Sequence, residues 1–355
     1  MKLKLISLGM LCCCLLQSKA QGSFKNIRYD EKYEYLKDSS HLDWYDRMKF
    51  SPIKRSKNYY HSFGGEVRYQ YFHYTNENWG DAVADNDGYV LNRLLVHSDL
   101  HLGSRFRTFV QLQSSLADGR VTPPSPVDQN ELDLHQAFFD YVIANGESSS
   151  LTLRAGRQEM SYGSSRLVAT REGLNTRQSF DGAKLIYNGK GFSFDGFYTN
   201  YVYNKKGIFN DEFFNQDLTF WGGYAVKNNV PFLQNVDLYY LGIKNKHSTW
   251  NDVSGVETRH SFGTRIWGHN KRWTYDFEGV YQFGDIANST IAAWTLSSSM
   301  SYALNDGMWA PIVSFKTELI SGDGKPGDGK VQSFNPLFPR GAYFGYAALI
   351  ASRPK

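Results

Sequence analysis

The residues of this sequence with the most scope for chemistry are arginines and carboxylates set two positions apart. Arg93, His97, Asp99 and His101 fall on one parity of a segment whose other parity is Leu94, Val96, Leu100 and Leu102. Arg105, Arg107, Gln111 and Gln113 oppose Phe106, Val110 and Leu112, and Glu66, Arg68 and Gln70 oppose Val67, Tyr69 and Tyr71. Extending that parity adds Arg154, Lys184, Arg259, Arg265 and Lys316, with Asp195, Asp237, Asp276, Glu278 and Glu318. Arginine stays charged and offers a planar fork matched to carboxylates. A ring of such forks in a narrow passage attracts a polyanion and hands it from site to site. The plainer alternative is that these charges pair with one another across the same space and fill it.

Other chemistries are weaker. His97, His101, His135 and His260 fall in the alternating segments, but no Ser-His-acid arrangement stands out, and neighbouring carboxylates resemble a glycosidase pair only loosely. The run Gly322-Asp323-Gly324-Lys325-Pro326-Gly327-Asp328-Gly329 lacks the spacing and closing glutamate of a calcium loop and reads as a flexible loop. No enzymatic activity, cofactor or metal is expected.

The elements that position these charges are β-strands. The clearest is Trp273 to Phe283, with Trp273, Tyr275, Phe277, Gly279, Tyr281 and Phe283 on one face and Thr274, Asp276, Glu278, Val280 and Gln282 on the other. A soluble sandwich would fill its apolar face with Val, Ile and Leu; aromatics crowd this one, as at the lipid interfaces of membrane barrels. Similar segments lie at 66–75, 89–102, 105–116, 131–143, 150–160, 180–188, 192–202, 216–227, 235–246, 257–268, 290–303 and 311–320. Gly103-Ser104, Asn188-Gly189-Lys190-Gly191 and Gly268-His269-Asn270-Lys271 read as hairpins. Longer polar stretches at 76–88, 117–130, 161–179, 203–215, 247–256 and 321–341 alternate with them, and short turns on one side with long loops on the other is the plan of an outer-membrane barrel.

Composition agrees. Aromatics make up 16% of the chain, yet no long apolar run follows the first twenty residues, which excludes a helical membrane protein. Lys2 and Lys4, the apolar run Leu5 to Leu16 and the small-residue positions Ser18 and Ala20 read as a signal peptide over 1–20, cleaved before Gln21. The rival reading, a lipoprotein anchored at Cys12, Cys13 or Cys14, lacks the small-residue context. All three cysteines lie in this leader, so the mature chain folds without disulfides. Removing Lys2, Lys4 and Lys19 takes the formal charge from +4 to near +1, which argues against a nucleic-acid partner. Residues 21–60 precede the alternation and read as a periplasmic segment, with the barrel over 61–355.

A family resemblance adds to this. Arg154-Ala155-Gly156-Arg157-Gln158-Glu159-Met160-Ser161-Tyr162-Gly163, then Arg166-Leu167-Val168, then Asn175-Thr176-Arg177-Gln178-Ser179-Phe180-Asp181-Gly182, resembles the central signature of the alginate export family. Ser321-Gly322-Asp323 through Asp328-Gly329, Phe334-Asn335-Pro336-Leu337-Phe338-Pro339 and, more loosely, Asp46-Arg47-Met48-Lys49-Phe50 are similar to it as well. The resemblance covers most of the mature chain. It implies an outer-membrane barrel of about eighteen antiparallel strands and passage of an anionic uronate polymer through an arginine-lined constriction. On it, Arg154, Arg157, Glu159, Arg166, Arg177 and Asp181 join the candidate pore-lining set of Arg68, Arg93, Arg107, Lys184, Arg259, Arg265 and Asp99. The same signature also serves to fold its loop, through pairs such as Arg177 with Asp181 or Arg157 with Glu159.

The expected fold is an all-β antiparallel transmembrane barrel. The expected function is a channel for alginate-like polysaccharide or small anions, with lipid, an anionic oligosaccharide and periplasmic export components as partners. The alternatives are a general porin and a plugged structural or adhesive barrel. Thirteen strand candidates, a further start near Tyr343 to Ile350 and the ending Ala351-Ser352-Arg353-Pro354-Lys355 suggest a shortened chain with an unpaired sheet edge.

Overall fold

The computed structural model describes residues 24–340 apart from 40, 54–57, 76–79, 81–82, 84–86, 251–252 and 307–309. The leader, its cleavage point and the segment Tyr343 to Ile350 lie outside the described residues. After two 3-10 turns, Arg28–Asp30 and Glu34–Asp38, and a short helix α1, Trp44–Lys49, the chain enters a single sheet. A two-residue β1, Ser51–Pro52, is followed by thirteen long strands: β2 Tyr59–Phe72, β3 Tyr89–Leu102, β4 Phe106–Asp118, β5 Asn130–Asn145, β6 Ser149–Gln158, β7 Phe180–Gly189 and β8 Phe192–Tyr201, then β9 Leu218–Val230, β10 Gln234–Trp250, β11 Val253–Asn270, β12 Trp273–Ile286, β13 Ser289–Ala303 and β14 Ile312–Ile320. Each pairs antiparallel with its sequence neighbour, and β15, Lys330–Val331, adds a parallel pairing to β13. Among the described residues β14 pairs with β13 alone.

The alternation decides which face is which, and it is inverted relative to a soluble sheet. On β3, Arg93, Leu95, His97 and Asp99 are buried while Leu94 is exposed. On β2, Val67 is 81% exposed and its register partner Leu94 is exposed in part, whereas Arg93, opposite Arg68, is 1% exposed. A charged inner face and an apolar outer face is the solution a lipid solvent selects. Aromatics gather at the short-turn end of the outer face, with Phe106 on Phe139, Tyr187 beside Phe192 and Trp273 against Tyr302. Leu94→Arg on this face is expected to cost about 2–4 kcal/mol if it lies at bilayer mid-depth; urea titration of the protein refolded into lipid vesicles measures it, and a loss below ~0.5 kcal/mol would argue against a lipid-facing position.

The sheet wraps around its own loop. Arg68 on β2 donates to the carbonyls of Glu172 and Leu174, while Arg166 from the same loop reaches Thr295 on β13 and Glu318 on β14. In a flat sheet β2 and β14 would lie on the order of 60 Å apart, whereas the chain from Arg166 to Glu172 spans at most about 22 Å. The inner space is filled by that loop, 159–179, and by the segment after β15. Met160, Leu167, Val168, Phe334 and Phe338 pack there against Phe180, Phe197, Phe220, Tyr224 and Tyr239. The stretch 161–179, expected as a long polar loop carrying the pore-lining candidates Arg166 and Arg177, also buries apolar residues of its own within the sheet.

One stretch read as a loop is strand. β10 runs to Trp250 and β11 starts at Val253, so the 247–256 stretch is mostly hairpin. Alternation continues through its polar residues: Ser248 and Trp250 both hydrogen-bond the buried Glu257 on β11.

Candidate functional site

Antiparallel register brings the inner charges into rows. His101 on β3 lies opposite Arg107 on β4, Arg107 opposite Asp140 on β5, Asp140 opposite Arg154 on β6, and Arg154 opposite Lys184 on β7. Arg107 grips Asp99 with two hydrogen bonds of 2.8 and 2.7 Å, and Arg154 grips Asp140 with two of 2.7 and 2.8 Å. Lys184 meets Asp195 at 3.1 Å. Such paired forks are the strong form of charge-assisted bond.

A second row crosses the opposite wall: Asp237 on β10, Arg265 on β11, Glu278 on β12, Ser297 on β13 and Glu318 on β14. Arg265 bonds Asp237 at 3.1 Å and Asp276 at 2.8 and 2.6 Å, and Arg166 enters from the loop to Glu318 with Glu278 at 4.0 Å. Arg259 sits between Glu257 at 2.5 Å and the Gln282 side chain at 2.9 Å. Carboxylates outnumber cations along this wall, so the lumen carries a basic side, β3–β7, and an acidic side, β10–β14.

A third network ties β2, β3 and β5 to the inserted loop. Arg93 joins Glu66 at 2.5 Å and Glu172; Glu172 meets Arg177 at 2.5 Å; Arg177 meets Glu159 at 2.6 Å; and Glu159 meets His135 at 2.7 Å. His135 reaches Glu159 because β5 bulges there: Gln111 pairs with Gln136 and Leu112 with Leu134, which leaves His135 over. Glu172, Asp140 and the N-terminal Arg28 and Tyr29 are members that the sequence reading did not single out. The strand alternation that found Arg107 and Arg154 extends to Asp140, but nothing local marked Glu172 or Tyr29.

Arg157 and Asp181 stand apart. Arg157 lies three residues from Arg154, beyond Gly156, whose φ of +127° breaks the regular alternation of β6. It pairs with Asp181, its register partner on β7, at 2.8 and 2.9 Å, beneath loop 202–217: it also donates to the Glu212 carbonyl and lies 4.0 Å from the Phe213 ring. The pairs the sequence suggested, Arg177 with Asp181 and Arg157 with Glu159, are exchanged; register places Arg157 across from Asp181, and the loop carries Arg177 inward to Glu159. Arg105 lies exposed at the β3–β4 turn and Lys316 is exposed on β14.

Loop 202–217 is held down by carboxylates. Asp133 accepts from the amides of Asn210 and Asp211 at 3.0 Å, and Asp211 accepts from the Lys205 amide at 2.6 Å and the Asn130 side chain at 2.9 Å. Burial pushes the Asp211 carboxyl up to about 6, with Asp133 adding to the rise and the Lys205 amide, Arg157 and Asn130 opposing it. The raised value means the docked loop favours the protonated acid. Its contribution to docking is full below the unfolded value near 4 and is lost as pH rises through about 6. Rate-corrected hydrogen exchange at Asn210 and Asp211 should therefore show protection falling between pH 5 and 7.5, and protection that is flat or rising would contradict this assignment.

An apolar-out, charged-in sheet of long antiparallel strands wrapped around an inserted loop defines an outer-membrane transport barrel. The alginate export family matches residues 59–352, and the chain belongs to it. That family is one of outer-membrane export-type channels rather than of enzymes. No curated protein matches the chain.

Proposed function

We propose that this protein is an outer-membrane channel that passes an alginate-like anionic polysaccharide, or related small anions, along the basic wall of its lumen. The observation that carries the reading is the row Arg107, Asp140, Arg154, Lys184 with its flanking Asp99 and Asp195, read with membership of the export family. Each cation there already holds a carboxylate. A uronate carboxylate arriving from solution exchanges like for like, so the cost of desolvating the guanidinium is not met afresh at each step. Arg154 Nη1 and Arg259 Nη2 are buried donors without a hydrogen-bond partner among the described residues, which leaves capacity for an incoming oxygen.

The acidic row on β10–β14 favours a second reading, a general porin whose opposed walls pass small solutes of either sign. Flux of labelled oligouronates and size-matched neutral oligosaccharides into proteoliposomes separates the two. Faster entry of the oligouronate supports the anionic channel, equal entry supports the general porin, and no entry of either supports a plugged structural barrel.

A further inference from the structure

The arginines of the basic wall are engaged by the chain's own N-terminus. Arg107 Nη2 donates to the Tyr29 carbonyl at 2.7 Å, Arg177 Nη2 donates to the Asn26 carbonyl at 2.8 Å, and the Arg154 guanidinium lies 4.0 Å over the Tyr29 ring. Tyr29 is buried edge-on against Phe109 and Phe138, at 5.9 and 5.2 Å, and its hydroxyl donates to the Glu159 carbonyl at 2.8 Å. Arg28 is clasped by Glu66 on β2 at 2.8 Å.

We propose that residues 24–38 form a displaceable plug, whose carbonyls and tyrosine ring occupy the arginine sites until an anionic sugar chain takes them. This rests on the channel reading above. Three features support displacement. The segment contributes no strand, since sheet pairing begins at Ser51, so it can leave without breaking a ladder. Its two 3-10 turns have no side-chain cap at their starts and are too short to hold a conformation alone. A cavity of about 750 Å³ opens beside it, lined by Lys25, Lys32 and Arg107 together with Asp30, Glu31 and Glu34, and brings solvent up to the Arg107 contact that an anion must replace. Loop 159–179 differs on the first point, because it is tethered between β6 and β7 and bridged to Phe338 through Val168. The exchange is also favourable in kind: a neutral carbonyl on an arginine yields to a charged carboxylate, the stronger acceptor.

The test uses the full chain with Cys12, Cys13 and Cys14 changed to serine and Ile27→Cys as its single thiol, reconstituted in lipid vesicles. Ile27 packs beside Tyr29 in the plug. Labelling by a membrane-impermeant maleimide reports the fraction of time the plug is out. Oligouronate should speed labelling by about tenfold or more while a neutral oligosaccharide does not, because only the anion competes for the arginines. Adding Tyr29→Ala should speed it without any sugar. A labelling rate that oligouronate leaves unchanged overturns the plug; if oligouronate still blocks the ionic current in that preparation, the channel reading survives the loss. If it neither blocks current nor alters labelling, both readings fall.

Discussion

Replacing Arg157 by methionine is expected to destabilise the barrel by on the order of 3–5 kcal/mol. Arg157 and Asp181 are both at most 2% exposed and hold each other through two hydrogen bonds. Without the guanidinium, Asp181 keeps one described donor, the Phe214 amide at 2.9 Å, and a buried carboxylate so poorly compensated is costly. The carbonyls of Leu134 and Glu212 lose their donor at the same time. Arg157→Met with Asp181→Leu removes the orphaned charge, so the double variant should recover most of the loss. Unfolding of the four species in urea, read by tryptophan fluorescence in lipid vesicles, closes the cycle. Losses that simply add would show that the pair is not coupled.

Gly156→Ala is expected to prevent correct assembly altogether. Gly156 has φ of +127°, and a Cβ there would sit 2.2 Å from the Ala137 carbonyl oxygen and 2.7 Å from the Phe138 Cα. Both obstacles are backbone of the neighbouring β5, so no rotamer change relieves them. Its register partner Gly182 is as tight, with a Cβ position 2.3 Å from the Tyr198 carbonyl oxygen. The two glycines let β6 and β7 approach their neighbours just where the chain leaves β6 for the inserted loop. Strain and overpacking of this kind cost about 4 kcal/mol or more when backbone must move. Heat-modifiable migration on a cold gel reports the folded barrel, and a Gly156→Ala variant that folds in wild-type yield would contradict the assignment.

These two sites show what the sequence carried and what it did not. Period-two alternation located all thirteen long strands, because a sheet with lipid on one side and charge on the other writes its two faces into alternate residues. The inward direction of Arg93, Arg107, Arg154 and Arg265 followed from the same rule. Partners did not follow, since register depends on hairpin lengths and on the bulge at His135, neither of which alternation records. The strand ends at Trp250 and Val253 were missed because Ser248 and Thr249 are polar on both faces, so the period is silent there. The loop was legible in part: 159–179 is polar overall, the family signature put its Arg166 and Arg177 among the pore-lining candidates, and its packing shows only in Met160, Leu167 and Val168. Arg157 and Asp181 belonged to the resemblance to the family signature, and structure assigns that part of the signature to holding loop 202–217.

The most direct test of an anion-conducting lumen is the reversal potential of single channels under a salt gradient, with oligouronate added to one side. Preference for anions, current block by oligouronate, and weakening of both by Arg154→Ala are the results predicted. A channel that prefers cations, or one that conducts well and ignores oligouronate, would contradict an arginine-lined path for an anionic polysaccharide.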